Sequence, residues 1–385
     1  MKDKRLCVLV VLGTRPEAIK LAPVIRELLR RRQGFKVTVC ATSQHRQLLD
    51  QVTRLFRIPV HYDLNVMTPN QGLDQLTART MLRLSSLLRE LRPDVIVVQG
   101  DTTTAFVASL AAFQQRIRVA HIEAGLRTGD RFAPFPEEIN RRLITHIADY
   151  HFAPTTWARD NLLREGIRPE VIFVTGNTAV DTFLEARRCV LRQPPRIPGL
   201  AGLNWESRKL ILVTAHRREN FGAGLEGICL ALKQLALSRN DIEIVYPVHP
   251  NPNVRKPVWR SIGAVPHIHL LEPLEYLPFV WLMMRAHLVL TDSGGIQEEM
   301  PSLGRPVLLL REKTERPEGV RAGVCQLVGT HPRAIRTAVA HLLDEERPRR
   351  ERALRANPFG DGKAAKRIAR HLARLVRGNS GVQRA

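Results

Sequence analysis

The chain reads as an α/β protein of two similar halves, each a parallel, doubly wound sheet, and three observations predict this. Short apolar runs rich in Val, Ile and Leu alternate with amphipathic stretches of helical length, the pattern of strands covered on both faces by crossover helices. The rhythm breaks once, between about Arg187 and Arg208, where Gln193-Pro-Pro-Arg-Ile-Pro-Gly199 has the composition of an interdomain linker, and then restarts. Polar residues follow the apolar runs directly, so they gather at C-terminal strand ends, where open α/β sheets bind ligands.

In the first half, Val8–Leu12 leads into a helix from Pro16 to Arg31, and Lys36–Ala41 into one from His45 to Phe56. Val95–Gln99 leads into Thr103–Gln114, and Arg118–Ile122 into the loop carrying Glu123. A further strand, Val171–Thr175, ends at Gly176-Asn-Thr178. In the second half Leu210–Thr214 precedes His216 and a helix after Gly224, and Ile242–Val248 precedes His249-Pro-Asn-Pro252. Leu288–Thr291 precedes Ser293-Gly-Gly295, and Pro306–Leu310 precedes Arg311-Glu-Lys-Thr-Glu-Arg316. The two halves are expected to flank a crevice lined by these strand-end loops.

Length and composition agree with this outline. The 385 residues suffice for two domains with separate cores, and 44% hydrophobic with 25% charged residues is the balance of a globular protein. No apolar run approaches the roughly 20 residues that span a bilayer, so a cytoplasmic protein without membrane contact is expected. The cysteines at 7, 40, 189, 229 and 325 form no CxxC pair and are odd in number, so free thiols and no zinc are expected. A net charge of +22 raises the question of nucleic acid. Only ten of the 59 basic residues are Lys, and the Arg are spread over all regions rather than gathered in a stripe, so specific nucleic-acid binding is not expected.

Chemistry concentrates in a few segments. Gln99-Gly-Asp-Thr-Thr-Thr104, His121-Ile-Glu-Ala-Gly125 and Pro136-Glu-Glu138 place Asp101, Glu123 and Glu137 at successive turns of an apolar βαβ pattern. Carboxylates at buried strand ends are desolvated, which brings them toward proton exchange at neutral pH. A helix cap is the plain alternative for Asp101 alone. Leu12-Gly-Thr-Arg-Pro-Glu17 is a strand-to-helix turn whose free amides and Arg15 suit a phosphate. It is not GxGxxG, and with no such fingerprint elsewhere no nicotinamide or flavin cofactor is expected. In Thr291-Asp-Ser-Gly-Gly-Ile-Gln-Glu-Glu299, Ser293, Gly294 and Gly295 allow close approach of a diphosphate, and Glu299 can accept from ribose hydroxyls; a helix entry capped by Asp292 or Ser293 is the alternative. His216, in Ala215-His-Arg-Arg-Glu-Asn220, can carry charge near that diphosphate. The thirteen histidines show no HxxxH or HxH pair backed by Cys, so no metal site is expected.

These residues carry a resemblance. Gly13-Thr-Arg-Pro-Glu-Ala-Ile-Lys20, Thr42-Ser-Gln-His-Arg46, Gly100-Asp-Thr-Thr-Thr104, Glu123-Ala-Gly-Leu-Arg-Thr-Gly129, Pro136-Glu-Glu-Ile-Asn-Arg141, His216-Arg-Arg-Glu-Asn220, Asp292-Ser-Gly-Gly-Ile-Gln-Glu-Glu299 and Asn357-Pro-Phe-Gly-Asp-Gly-Lys363 resemble the non-hydrolysing UDP-N-acetylglucosamine 2-epimerases, in order, from about residue 6 to 370. The resemblance implies two Rossmann-like domains in a GT-B-type arrangement with the active site in the interdomain cleft. Residues 1–185 would form the first and 186–363 the second, nucleotide-binding one, and a C-terminal helix, 364–385, would pack back onto the first.

For function it implies interconversion of UDP-GlcNAc and UDP-ManNAc for polysaccharide biosynthesis, by elimination of UDP to 2-acetamidoglucal and re-addition, with no cofactor. Asp101, Glu123, Glu137 and His216 would be catalytic; Arg15, Lys20, Arg141, Ser293, Gly294, Gly295 and Glu299 would bind substrate. Gln44, Gln47, Gln71, Arg217 and His249 match an activator site for a second UDP-GlcNAc, although Asn70 stands where members with that site carry Arg. A homodimer is expected. The alternatives are a hydrolysing or modified-sugar UDP-HexNAc epimerase and, further off, a GT-B glycosyltransferase or a basic nucleic-acid binder. With no kinase-like pattern within the chain, the bifunctional variant is not expected.

Overall fold

Leu6–Leu12 (β1) is apolar throughout, and its residues from Val8 to Leu12 are at most 1% exposed, so neither face of the strand meets water. In the computed structural model, which describes residues 5–42, 46–68, 71–200, 203, 207–344 and 357–378, β1 lies inside a parallel sheet with helices on its flanks. The chain forms two units, Met1–Thr182 with Phe359–Ala385, and Phe183–Pro358.

In the first unit β1 is followed by α1 (Arg15–Arg30), β2 (Phe35–Ala41), α2 (Arg46–Leu55), β3 (Tyr62–Asp63), α3 (Leu73–Leu91), β4 (Val95–Gln99) and α4 (Thr103–Gln114). Then come β5 (Arg118–Ile122), α5 (Glu137–Ile147), β6 (Tyr150–Ala153), α6 (Thr156–Arg164), β7 (Ile172–Val174) and α7 (Thr178–Arg192). Among the described residues the strands lie in the order β3-β2-β1-β4-β5-β6-β7, every neighbouring pair parallel. The order reverses direction between β1 and β4. At such a switch point the loops after the two strands diverge to opposite faces and leave a crevice at the carboxyl ends.

The second unit repeats the design. Its elements are β8 (Lys209–Thr214), α8 (Ala223–Ser238), β9 (Ile242–Pro247), α9 (Pro252–Ile262), β10 (Ile268–Leu271), α10 (Tyr276–Arg285) and β11 (Leu288–Thr291). They continue with α11 (Gly294–Glu299), β12 (Val307–Leu309), α12 (Pro317–Arg321), β13 (Cys325–Leu327) and α13 (Pro332–Asp344). The order β10-β9-β8-β11-β12-β13, again all parallel, places a second switch point between β8 and β11. Each unit is therefore Rossmann-like, with its own core: Leu9, Val11, Ile96, Val98 and the Ala-rich face of α4 in the first, and Ile211, Val213, Ile244, Tyr246, Leu288 and Leu290 in the second.

The final described helix, α14 (Ala364–Gly378), belongs to the first unit and packs along α1. Its first amides, Ala364 N and Ala365 N, donate to the Asp181 carboxylate at 3.1 and 3.0 Å, a cap supplied by another helix. Burial nevertheless pushes the Asp181 carboxyl up to about 6. The break expected from Arg187 begins only after Arg192, because α7 runs through the boundary between units as one helix. All five cysteines are free thiols. No described helix is long and apolar enough to cross a membrane, and no group of three metal-ligating side chains occurs among the described residues.

Candidate active site

The two switch points carry most of the residues singled out by the sequence. In the first unit the register sets Gln99 opposite Ile122, so Gly100-Asp101 and Glu123 leave the sheet side by side. Glu123 is 8% exposed and has φ +66°, a left-handed conformation that costs a non-glycine residue about 1–3 kcal/mol. Its surroundings fix it there. Glu123 N and Ala124 N both donate to Phe152 O, at 3.0 and 3.1 Å. Its carboxylate accepts from Lys20 Nζ at 2.5 Å, from Asn177 Nδ2 at 3.1 Å and from Gln99 Nε2.

Asp101 is tied to α5. Arg141 Nη2 donates to its carboxylate and Asn140 Nδ2 to its carbonyl at 2.9 Å. Glu137 heads the same helix one turn before Arg141, so α5 links the third carboxylate to the first. The neighbouring Glu138 is fully buried and accepts from Thr128 N, Gly129 N, Arg141 and Arg142, a role in holding the loop after β5. Lys20 and Arg141, expected beside nucleotide, are here the ion-pair partners of Glu123 and Asp101. Arg15 opens α1 at the same switch point.

Two residues of this region were not singled out by the sequence. His121 is fully buried on β5 with Nε2 2.7 Å from Gly100 O; a carbonyl only accepts, so Nε2 carries the hydrogen. Burial lowers this imidazole to about 4, so it is neutral and holds the turn before Asp101. Glu17 is 2% exposed and accepts from Thr14 N at 2.6 Å and from Thr102 Oγ1 at 2.9 Å.

In the second unit the loop after β8 wraps around a fully buried Asp292 at the end of β11. His216 N and Arg217 N donate to Asp292 Oδ2 at 2.8 Å each, Asn220 Nδ2 donates to the same oxygen at 3.0 Å, and His216 Nδ1 lies 3.3 Å from Oδ1. The alternative reading, a helix entry capped by Asp292 or Ser293, does not hold: Ser293 occupies the cap position without a side-chain cap bond, and Asp292 is spent on the opposite loop. Burial holds the His216 imidazole below its ordinary value, with Asp292 opposing. Its ring stacks on His249 at 5.2 Å between centroids and 13° between planes.

Gly294 has a reason the sequence did not disclose. A Cβ there would lie 2.5 Å from Nη1 of Arg316, a buried side chain that pairs with Glu298 and Glu315. Gly294→Ala is therefore expected to displace the guanidinium and destabilise the protein by about 3 kcal/mol, read as a lowered urea midpoint; an unchanged midpoint would show that Arg316 repositions freely. A Cβ on Gly295 would meet Ser293 Oγ at 4.0 Å, an ordinary contact, so this position is not crowded as Gly294 is. Glu299 accepts from Tyr276 Oη at 3.0 Å. Of the expected activator residues, Gln44, the side chain of Gln47, and Asn70 lie outside the described residues. Gln71 is held within its own loop, its Oε1 accepting from Thr68 N at 2.9 Å and Arg79 Nη1 at 3.2 Å.

A family profile described as UDP-N-acetylglucosamine 2-epimerase matches residues 27–373. The chain belongs to the UDP-N-acetylglucosamine 2-epimerase family. It is 53% identical over 369 residues to the UDP-N-acetylglucosamine 2-epimerase of Escherichia coli K12, covering 95% of this chain and 98% of that one. Among solved structures, UDP-GlcNAc 2-epimerase from Neisseria meningitidis bound to UDP-GlcNAc superposes with a TM-score of 0.92 at 46% identity, covering 96% of this chain and all of that one (100%). The UDP-GlcNAc 2-epimerase of Methanocaldococcus jannaschii, in complex with UDP-GlcNAc and UDP, gives 0.83 at 36% identity, with coverage of 96% and 100%. Asp101, Glu123, Glu137 and His216 all fall within the span matched by the family profile.

Proposed function

We propose that this chain interconverts UDP-GlcNAc and UDP-ManNAc without net hydrolysis, the C2 centre being inverted by loss and return of UDP. The observation that carries the reading is the placement of Asp101 and Glu123 side by side at the carboxyl end of the sheet, on the neighbouring strands β4 and β5 beside its switch point, in a family defined by epimerisation at the sugar C2. Breaking the anomeric C–O bond sends its electron pair to UDP, and the C2–H pair forms the C1–C2 double bond of 2-acetamidoglucal. The C2 proton passes to a carboxylate. Re-addition takes a proton on the other face of C2 and returns the diphosphate oxygen to C1, so atoms balance with no water consumed.

Asp101, Glu123 and Glu137 are assigned to proton transfer and to the cation that develops at C1, where fixed negative charge lowers the barrier most. Arg15, Lys20, Arg141 and the segment Ser293–Gly295 with Glu299 are assigned to the nucleotide sugar, and His216 to the leaving diphosphate. A second UDP-GlcNAc as activator and a homodimer belong to the same proposal, although Gln71 would have to leave Thr68 and Arg79 to reach a ligand.

The test is turnover of UDP-GlcNAc in heavy water with chromatography of the products. UDP-ManNAc carrying deuterium at C2 is expected, because the returning proton comes from a group that exchanges with solvent. Free ManNAc plus UDP would instead establish hydrolysis, and product without deuterium would rule out the carboxylate-mediated exchange.

A further inference from the structure

We propose that Glu17 is a positioning residue for Asp101, holding the turn after β4 against the turn after β1 across the first switch point. This rests on the functional reading above, which gave Glu17 no role. The carboxyl spans two loops that no strand pairing joins at this level. Oε2 accepts from Thr14 N at 2.6 Å, and Oε1 accepts from the hydroxyl of Thr102, the residue after Asp101, at 2.9 Å. Thr102 Oγ1 in turn accepts from Ala105 N at 3.0 Å and so caps α4; moving Glu17 moves the origin of that helix.

The packing leaves Glu17 no other place. A Cβ on Gly13 would stand 2.9 Å from its Oε2 and 2.6 Å from Thr104 Oγ1, so the absence of a side chain at 13 makes the room both occupy. Thr104 is held by Thr42, their hydroxyl oxygens 3.2 Å apart. The charged group facing Glu17 from the turn after β4 is Asp101; Thr42 and Thr104 offer only hydroxyls, and Arg15 and Lys20 stand on its own helix. Burial pushes the Glu17 carboxyl up to about 7 against the hydrogen bonds from Thr14 and Thr102, and the Asp101 charge adds a smaller push in the same direction as burial. The coupling is read at Glu17: a charged Asp101 makes Glu17 hold its proton more tightly, and a neutral side chain at 101 relaxes it.

A purely structural role is the competing account, since Thr14 and Glu17 form a capping box at the start of α1. Gln serves at that position of a capping box as Glu does. Glu17→Gln therefore keeps the cap through its one accepting oxygen and removes the ionisation, while its amide nitrogen now faces the Thr102 hydroxyl, which can turn to accept. The expected result is a folded variant that still binds UDP and lacks the step near neutral pH in its kcat profile. Glu17→Ala, which removes the bridge, is expected to lose about 10²-fold in kcat. Wild-type kinetics and pH profile in Glu17→Gln would overturn the proposal and leave a cap alone.

Two further measurements decide the matter even if the substrate is another sugar, and the first of them needs no variant at Glu17. In the otherwise native protein, the labelled Glu17 carboxyl is expected to titrate near neutrality by NMR, and Asp101→Asn to lower its midpoint; an unmoved midpoint would overturn the coupling. The raised carboxyl also favours the folded state at low pH and loses that contribution as pH rises from about 4.5 to about 7. The stability difference between wild type and Glu17→Gln should change over that window and be flat above it, whereas a difference flat throughout counts against an ionising bridge.

Discussion

Asp101→Asn and Glu123→Gln are each expected to lower turnover of UDP-GlcNAc by about 10²–10⁴-fold while UDP remains bound, the loss typical of an acid/base group. The two variants should differ in what else they do. At Asp101 an amide oxygen can still accept from Arg141, and Asn140 bonds the backbone carbonyl, so the loop is expected to stay in place. Around Glu123, by contrast, three donors converge, from Lys20, Gln99 and Asn177. A Gln offers one accepting oxygen and brings two hydrogens of its own, so the buried Lys20 ammonium loses its ion pair with Glu123. A stability loss of about 3 kcal/mol should accompany the kinetic one. Thermal melts beside initial rates separate the two effects. Slow release of UDP and 2-acetamidoglucal would mark a variant that eliminates but does not re-add. Full activity in either variant would remove these residues from the mechanism, even with the family assignment intact.

The parallel strands were legible because burial on both faces leaves an uninterrupted apolar run, as in β1, β4 and β11, with polar residues immediately after it. Elements without that signature were missed. The strand β3 is two residues long, and α3 buries only Leu76, Thr80, Leu84, Leu87 and Leu88 among interspersed Arg, Ser and Thr. The strands β6, β10 and β13, three or four residues each, are too short for periodicity to show. In the site, local motifs revealed which turns carry chemistry but not which side chains meet. Lys20 and Glu123 are 103 positions apart, and His216 and Asp292 are 76 apart, so pairing them needs the strand order. Glu17 looked like the interior of a helix start, and only the fold shows that its carboxyl reaches the turn of Asp101.

Asp292→Asn is expected to cost about 10²-fold or more in turnover and to change how UDP binding depends on pH. In the unliganded protein burial keeps the His216 imidazole below its ordinary value, so near neutral pH it is uncharged, with Nδ1 toward Asp292. A diphosphate brought to this ring favours the imidazolium, and the Asp292 charge already aimed at it favours the same form. UDP binding near neutral pH should therefore take up a proton, seen as a buffer-dependent heat of binding and a Kd that rises with pH. An Asn at 292 can keep accepting from His216 N, Arg217 N and Asn220 through its oxygen, but it then turns its amide toward Nδ1. A donor facing Nδ1 forces the hydrogen onto Nε2 and disfavours the charged ring, the wrong-tautomer effect that disables a histidine oriented by a carboxylate. Proton uptake should then vanish together with the rate, while the urea midpoint falls only slightly. Loss of rate with undiminished proton uptake would place the titrating group elsewhere, and an unfolded variant would show that the three backbone and amide donors needed a full carboxylate.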